Sequence, residues 1–202
     1  MSLYPLMLDG SALSAVIIGG GAVAARKASA LLAAGARVRV VAPEIVPELE
    51  TLARDSSIEI IRDRYAKRHI GDAGFVIAAT DDHTVNAEVA VDAKALGRLV
   101  NVASEPNSGN CITPAVHRAG DVVIAVTAGG VPSAAARIRD DLGRRIDERY
   151  ADAVRELSSL RRSLIDRDER DHWSSAAAAL LDDDFCRRVE SGLFDEALAE
   201  WR

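Results

Sequence analysis

Short apolar runs, each closed by turn formers, alternate along the first half of the chain with stretches whose apolar positions recur every three or four residues. Ala15-Val16-Ile17-Ile18 is the first run, and Gly19-Gly20-Gly21 closes it. Val23, Ala24, Ala28, Leu31 and Leu32 then repeat at helical spacing, and Gly35 stands where a left-handed residue ends a helix. Arg37-Val38-Arg39-Val40-Val41 reads as a second strand, closed by Ala42-Pro43-Glu44. Val46, Leu49, Leu52 and Ala53 give a short helix, and Ile58-Glu59-Ile60-Ile61 a third strand. Phe75-Val76-Ile77-Ala78-Ala79 is continuously apolar, as a parallel strand covered on both faces must be. Val85, Val89, Ala93 and Leu96 mark the next helix, and Leu99-Val100-Asn101-Val102 a fifth strand. Ahead of all these, Tyr4 to Leu8 reads as an extended segment before the turn pair Asp9-Gly10, placed to add an edge strand or to cover the sheet.

The pattern changes after Val102. Ser104 to Asn110 is rich in turn formers, and Asp121 to Val126 reads as a lone strand, broken by Gly129-Gly130-Val131-Pro132. From Ser133 onward only helical spacing is left. Ala135, Ile138, Leu142 and Ile146 share one face, then Val154, Leu157, Leu160 and Leu164. Leu180, Leu181, Phe185, Val189, Leu193, Phe194, Leu198 and Trp201 are the apolar anchors of the charged end. Repeated β–α alternation followed by helices predicts an α/β chain with a Rossmann-like, doubly wound parallel sheet over 1–112. A dimerisation segment is expected over 113–149 and a small helical domain over 150–202.

Composition narrows the class without naming it. The chain has 202 residues, 49% of them hydrophobic, with a formal net charge of -6. That suffices for one sizeable core and an appended unit. Mild acidity without a basic cluster argues against a nucleic-acid partner. No apolar run reaches membrane-spanning length, and the opening residues lack the pattern of a signal peptide. Cys111 and Cys186 stand far apart and outside any C-x-x-C pair, so a reducing cytoplasm is the expected setting.

The candidate chemistry begins at the first glycine turn. Gly19-x-Gly21-x-x-Ala24, between a strand and a helix, fits the dinucleotide fingerprint in its G-x-G-x-x-A form. Glycines let the backbone approach a pyrophosphate, and the free N–H groups of the first helical turn face its oxygens. Gly19, Gly20, Gly21, Ala22 and Val23 are therefore expected to bind NAD. The competing reading is a glycine turn in some other α/β protein.

Several blocks in register carry a family resemblance. Ile18-Gly19-Gly20-Gly21-x-Val23-Ala24-x-Arg26-Lys27-Ala28 opens the set, and Ala78-Ala79-Thr80-Asp81-Asp82-x-x-Val85-Asn86 follows. Asn101-Val102, Pro114, Ala125-Val126-x-x-Gly129-Gly130 and Ala136-Arg137 complete it. Together they resemble the N-terminal domains of siroheme synthases, which are NAD-dependent precorrin-2 dehydrogenases, some of which also insert iron into sirohydrochlorin. The resemblance covers nearly the whole chain, is weakest after about Leu164, and looks like the stand-alone form. It implies oxidation of a tetrapyrrole, precorrin-2, to sirohydrochlorin with NAD, and a homodimer with a helical C-terminal domain.

The resemblance also assigns residues. Cofactor contacts fall on Ala22, Val23, Pro43 and Glu44, although Glu44 reads equally as a solvated acid at a helix start. Thr80 and Asp81 end the fourth strand at the carboxyl edge, where they either meet the cofactor or cap the next helix. Relatives often carry a catalytic aspartate directly after Asn101-Val102-x. This chain has Ser104 there, with Glu105 next. A serine hydroxyl is a poor base, so Glu105 is the candidate carboxylate and Ser104 the position it replaces. The other reading has both residues shaping the turn before Pro106. Ala128 is a second departure, where some relatives have serine.

His69, His83, His117 and His172 show no metal-ligand spacing, and no metal residue is assigned. His83 is the best placed of the four to meet iron or a substrate carboxylate, against its reading as a surface histidine. A substrate rich in carboxylates calls for cations such as Arg118 and Arg137, with Arg139 read as a salt-bridge residue. Two other function classes stay open at this level. One is an NAD-binding sensor without turnover, and the other a structural dimer with a relic fingerprint.

Overall fold

The computed structural model describes residues 3–55 and 58–202. Its chain divides into two compact units, Met1–Thr113 and Pro114–Arg202.

In the first unit, β1 (Ser14–Ile18), β2 (Arg37–Val41), β3 (Ile58–Ile61), β4 (Phe75–Ala78) and β5 (Leu99–Val102) form one parallel sheet in the order β3-β2-β1-β4-β5. The order reverses between β1 and β4, which pair from Ala15 with Phe75 to Ile18 with Ala78. Alternate side chains explain the continuous apolar runs. Ile17, Val40 and Ile77 pack against α1 (Ala22–Ala33) and α2 (Pro47–Asp55), through Ala24, Ala28 and Leu49. Val16, Ile18, Val76 and Val100 pack on the other face against Val89, Ala90 and Ala93 of α3 (His83–Ala95). Helices on both faces make the sheet doubly wound.

The open edge of β5 is covered by a side chain. Asn110 accepts from the Val100 N–H at 2.7 Å and donates to the Arg98 carbonyl at 2.9 Å, while its own N–H meets the Val100 carbonyl. One carboxamide thus does what a sixth strand would do and holds the loop after β5 against the sheet. Tyr4 to Leu8 adds no strand. Tyr4, Leu6 and Met7 are exposed, and the segment pairs with no strand of the sheet.

In the second unit, β6 (Ala115–Ala119) pairs antiparallel with β7 (Val122–Val126), so the strand read as lone has a hairpin partner. β6 mixes His117 and Arg118 into its alternation, which hides it from an apolar-run reading. α4 (Pro132–Arg145) and α5 (Glu148–Asp166) follow, then α6 (Arg170–Leu180), α7 (Phe185–Ser191) and α8 (Phe194–Ala199). Tyr150, Leu157, Leu160 and Leu164 of α5 build a core with Leu180, Val189, Phe194 and Leu198. Leu181 and Leu193, expected among the anchors, fall between helices and are exposed, and Ile138 is exposed on α4. No helix among the described residues is long and apolar enough to cross a membrane.

Candidate functional site

The carboxyl ends of β1, β2, β4 and β5 bring four loops to one edge of the sheet, across the point where strand order reverses. Open α/β sheets bind ligands at such an edge. The glycine turn lies between two of these loops at backbone contact. A Cβ on Gly19 would stand 2.3 Å from the Ala79 carbonyl oxygen, and one on Gly20 would stand 1.9 Å from that of Glu44. The Gly20 carbonyl accepts from the Val46 N–H at 2.9 Å, tying the loop after β2 to the turn. Only glycine permits both approaches.

Gly21 is different. A Cβ there would meet nothing within 4 Å. Gly21 is the N-cap of α1 and makes no side-chain cap, and the first turn of this helix carries no acidic residue. Ala22 and Val23 are exposed beside it. The N–H groups of this turn thus face open space at the positive end of a 12-residue helix. This cradle fits a pyrophosphate, and Gly20, Gly21, Ala22 and Val23 are the residues that would hold it. Pro43 and Glu44 are both exposed at the neighbouring loop, whose Glu44 backbone abuts Gly20. A shallow depression of about 570 Å³ begins one residue further, lined by Ile45, Ile60, Arg62 and Glu50.

The loop after β4 is built from the inside. Asn86 is buried, and its carboxamide takes the Thr80 N–H at 3.1 Å and the Thr80 hydroxyl at 2.8 Å, then donates to the Thr80 carbonyl at 2.9 Å. The cap of α3 is Asp82, which accepts from the N–H groups of Thr84 and Val85. Thr80 and Asp81 therefore do not cap the helix. Thr80 is spent on the shape of the loop, and Asp81 is left exposed at the edge. Asn86 and Asp82 had no role in the sequence reading beyond their place in a motif. A signal existed for each: a polar residue on the helical stripe of Val85 and Val89, and an Asx residue directly before an apolar period.

The loop after β5 carries Ser104 and Glu105, both exposed. Glu105 precedes a 3₁₀ turn over Pro106–Ser108, and its Oε2 accepts from the Ser108 hydroxyl at 2.9 Å. Its Oε1 lies 3.6 Å from Nδ1 of His83, the first residue of α3. The structure thus joins two residues that the sequence reading named separately. Among the described residues no group of three His, Cys, Asp or Glu side chains converges as a metal site would require.

Below this edge, Lys27 of α1 contacts the Thr113 hydroxyl. Burial, with Arg26 beside it, holds the Lys27 ammonium below the usual lysine range. Burial also pushes the Cys111 thiol up to about 11, against the pull of Lys27. Both cysteines are free. In the second unit, Arg118 and Arg137 are exposed, and Arg139 is paired with Asp140 at 2.8 Å.

Comparison with known proteins agrees with this geometry. Residues 6–115 match a family described as "Putative NAD(P)-binding". The chain belongs to this NAD(P)-binding family. Siroheme synthase of Chromobacterium violaceum is 41% identical over 162 residues, covering 80% of this chain and 34% of that protein. Siroheme synthase of Saccharophagus degradans is 37% identical over 162 residues, covering 80% and 35%. The chain spans about a third of the length of the curated relatives it matches. Among solved structures, "SirC, precorrin-2 dehydrogenase" is 27% identical with a TM-score of 0.77, over 98% of both chains. These matches bear out the resemblance read from the motifs, the Rossmann-like sheet and the dinucleotide cofactor.

Proposed function

We propose that this chain oxidises precorrin-2 to sirohydrochlorin with NAD, in siroheme biosynthesis. The observation that carries the reading is the end-to-end likeness to a precorrin-2 dehydrogenase. When bound, NAD supplies the nicotinamide ring that accepts a hydride. The remaining chemistry belongs to the chain. The N–H groups of Gly20 to Val23 bind and orient the pyrophosphate, and Pro43 and Glu44 flank the adjoining ribose. Asp81 borders the same edge. Glu105 is the carboxylate that takes up the proton released with the hydride, in place of the aspartate that Ser104 replaces.

Two copies of the chain associate, on this reading, through the segment 113–149. Its exposed Val116, Val131 and Ile138 are apolar surface of the kind an interface covers. Light scattering at micromolar protein should read a dimer, and a monomer rejects that part. With both cysteines free, the expected workplace is the cytoplasm.

An absorbance assay with precorrin-2 and NAD tests the activity. Sirohydrochlorin and NADH should appear together, and at least about tenfold more slowly with a Gly21→Asp variant at subsaturating NAD. A second reading, an NAD-binding sensor without turnover, is favoured by Ser104 at the position of the aspartate. Cofactor binding without sirohydrochlorin would establish it and reject the dehydrogenase.

A further inference from the structure

We propose that His83 is a positioning and relay residue for Glu105, carrying its proton from the carboxylate to solvent. The inference rests on the dehydrogenase reading above and names a residue that reading does not use. His83 opens α3 after the loop that leaves β4, and Glu105 stands on the loop after β5, adjacent parallel strands whose ladder ends with Ala78 opposite Val102. The backbone at His83 and the side chain of Glu105 are each held in place. Asp82 fixes the backbone at His83 by capping α3, and Ser108 fixes Glu105 by donating to Oε2. That contact leaves Oε1 as the oxygen turned toward Nδ1 of His83 at 3.6 Å. Among the described residues Glu105, across the gap, is the carboxylate within 4 Å of the imidazole, and Asp81 and Asp82 precede it in the chain. Asp82 is occupied by two backbone N–H groups, so Glu105 is the carboxylate that faces the ring.

The chemistry asks for such a partner. Oxidation removes one hydride and one proton from the substrate. As the C–H electron pair departs with the hydride, an X–H bond of the tetrapyrrole breaks, and its electron pair stays in the extended conjugation. The proton forms a bond to Oε1 of Glu105. The acid so formed must lose its proton before the next turnover, and beside the open path to water His83 offers a nitrogen 3.6 Å from Oε1. Nδ1 accepts the proton and Nε2–H gives one to water, which returns Glu105 to its carboxylate form. His83 is 72% exposed, which keeps the outer nitrogen in contact with solvent.

Two measurements test the relay. The first needs no turnover. The His83 imidazole resonance, followed by NMR at fixed pH, should move on Glu105→Gln, and an unmoved resonance overturns the pairing. The second compares steady-state dehydrogenation by the parent, His83→Gln, Glu105→Gln and the double variant. His83→Gln should lower kcat about tenfold or more, with KM and NAD affinity within about twofold, since acid–base help is worth ~10²–10⁴-fold in all. The double variant should be no slower than Glu105→Gln alone, because residues acting as a unit are not additive. Added imidazole should restore turnover to His83→Ala and leave Glu105→Gln unchanged. Full activity of His83→Gln, multiplicative losses or absence of rescue overturns the relay and leaves the dehydrogenase intact. A parent that binds NAD but never oxidises precorrin-2 overturns both, and the NMR result still decides whether the pair exists.

Discussion

Asn86 holds Thr80 by both ends of its carboxamide, accepting from the Thr80 N–H and hydroxyl and donating to its carbonyl. A helix residue thereby sets the loop that leaves β4, directly behind the glycine turn that Ala79 touches. Asn86→Ala should orphan the Thr80 N–H and carbonyl, at about 1–3 kcal/mol for each buried group. Asn86→Asp keeps the acceptor but buries a charge and turns an oxygen on the Thr80 carbonyl, so it should cost at least as much in unfolding and more in cofactor affinity, through added negative charge at the edge. Denaturant unfolding and calorimetric titration with NAD measure the two effects. Parent-like values for both variants would remove Asn86 from the site.

The three glycines of the turn should respond in different ways to substitution. At Gly21 the added carbons of Gly21→Asp enter open space, with φ at -86° acceptable to any residue. Stability should stay within about 0.5 kcal/mol of the parent. The carboxylate fills the phosphate cradle, so NAD affinity should fall at least tenfold, or about 1.4 kcal/mol. Gly20→Ala instead drives a Cβ to 1.9 Å from the Glu44 carbonyl, and should cost more than the ~1–3 kcal/mol of ordinary overpacking. Thermal melting beside NAD titration separates the cases. Equal loss of stability in both variants would reject the cradle.

The sheet and the cradle were legible in the sequence because both are local signals. A buried parallel strand must be apolar throughout, and a glycine turn between strand and helix has one common use. The parts that depend on distant partners were not. The strand β6 carries His117 and Arg118 and becomes a strand only through pairing with β7. His83 and Glu105 were candidates for separate roles, and their pairing appears only where the adjacent carboxyl ends of β4 and β5 bring them to 3.6 Å. Asn110 reads as a turn former, yet its side chain completes the edge of β5. Side chains that replace backbone pairing leave no periodic trace.

The two cysteines should differ in reactivity. The Cys111 thiol is pushed up to about 11 by burial, with Lys27 opposing the shift, so little thiolate is present near neutral pH. Cys186 is exposed. Alkylation at pH 8 followed by mass spectrometry should label Cys186 well before Cys111. The sign for stability follows from the raised value. The Cys111 contribution is full below about 9, the ordinary thiol value, and is lost as pH rises toward about 11. Cys111→Ala should therefore flatten the decline of stability between those limits relative to the parent. Fast labelling of Cys111 at pH 8 would show that the thiol is not buried as described.

The most demanding prediction concerns which residue of the loop after β5 supplies the base. Ser104 stands where relatives often carry aspartate, and it holds no charge near neutral pH. Glu105 has one oxygen anchored by Ser108 and the other free toward His83, so its carboxylate is oriented rather than merely solvated. Glu105→Gln keeps size and the acceptor for Ser108 while removing the base. It should lower kcat by about 10²–10⁴-fold and leave NAD affinity nearly unchanged. Ser104→Asp alone should be neutral or activating. The decisive variant combines the two. If the loop needs one carboxylate at either position, Ser104→Asp in the Glu105→Gln background should recover most of the lost kcat. Steady-state dehydrogenation by the four proteins gives the answer. Full activity of Glu105→Gln would reject Glu105 as the base and leave water or the substrate's own carboxylates to take the proton. Loss without recovery in the double variant would place the base at Glu105 alone, held there by its contacts with Ser108 and His83.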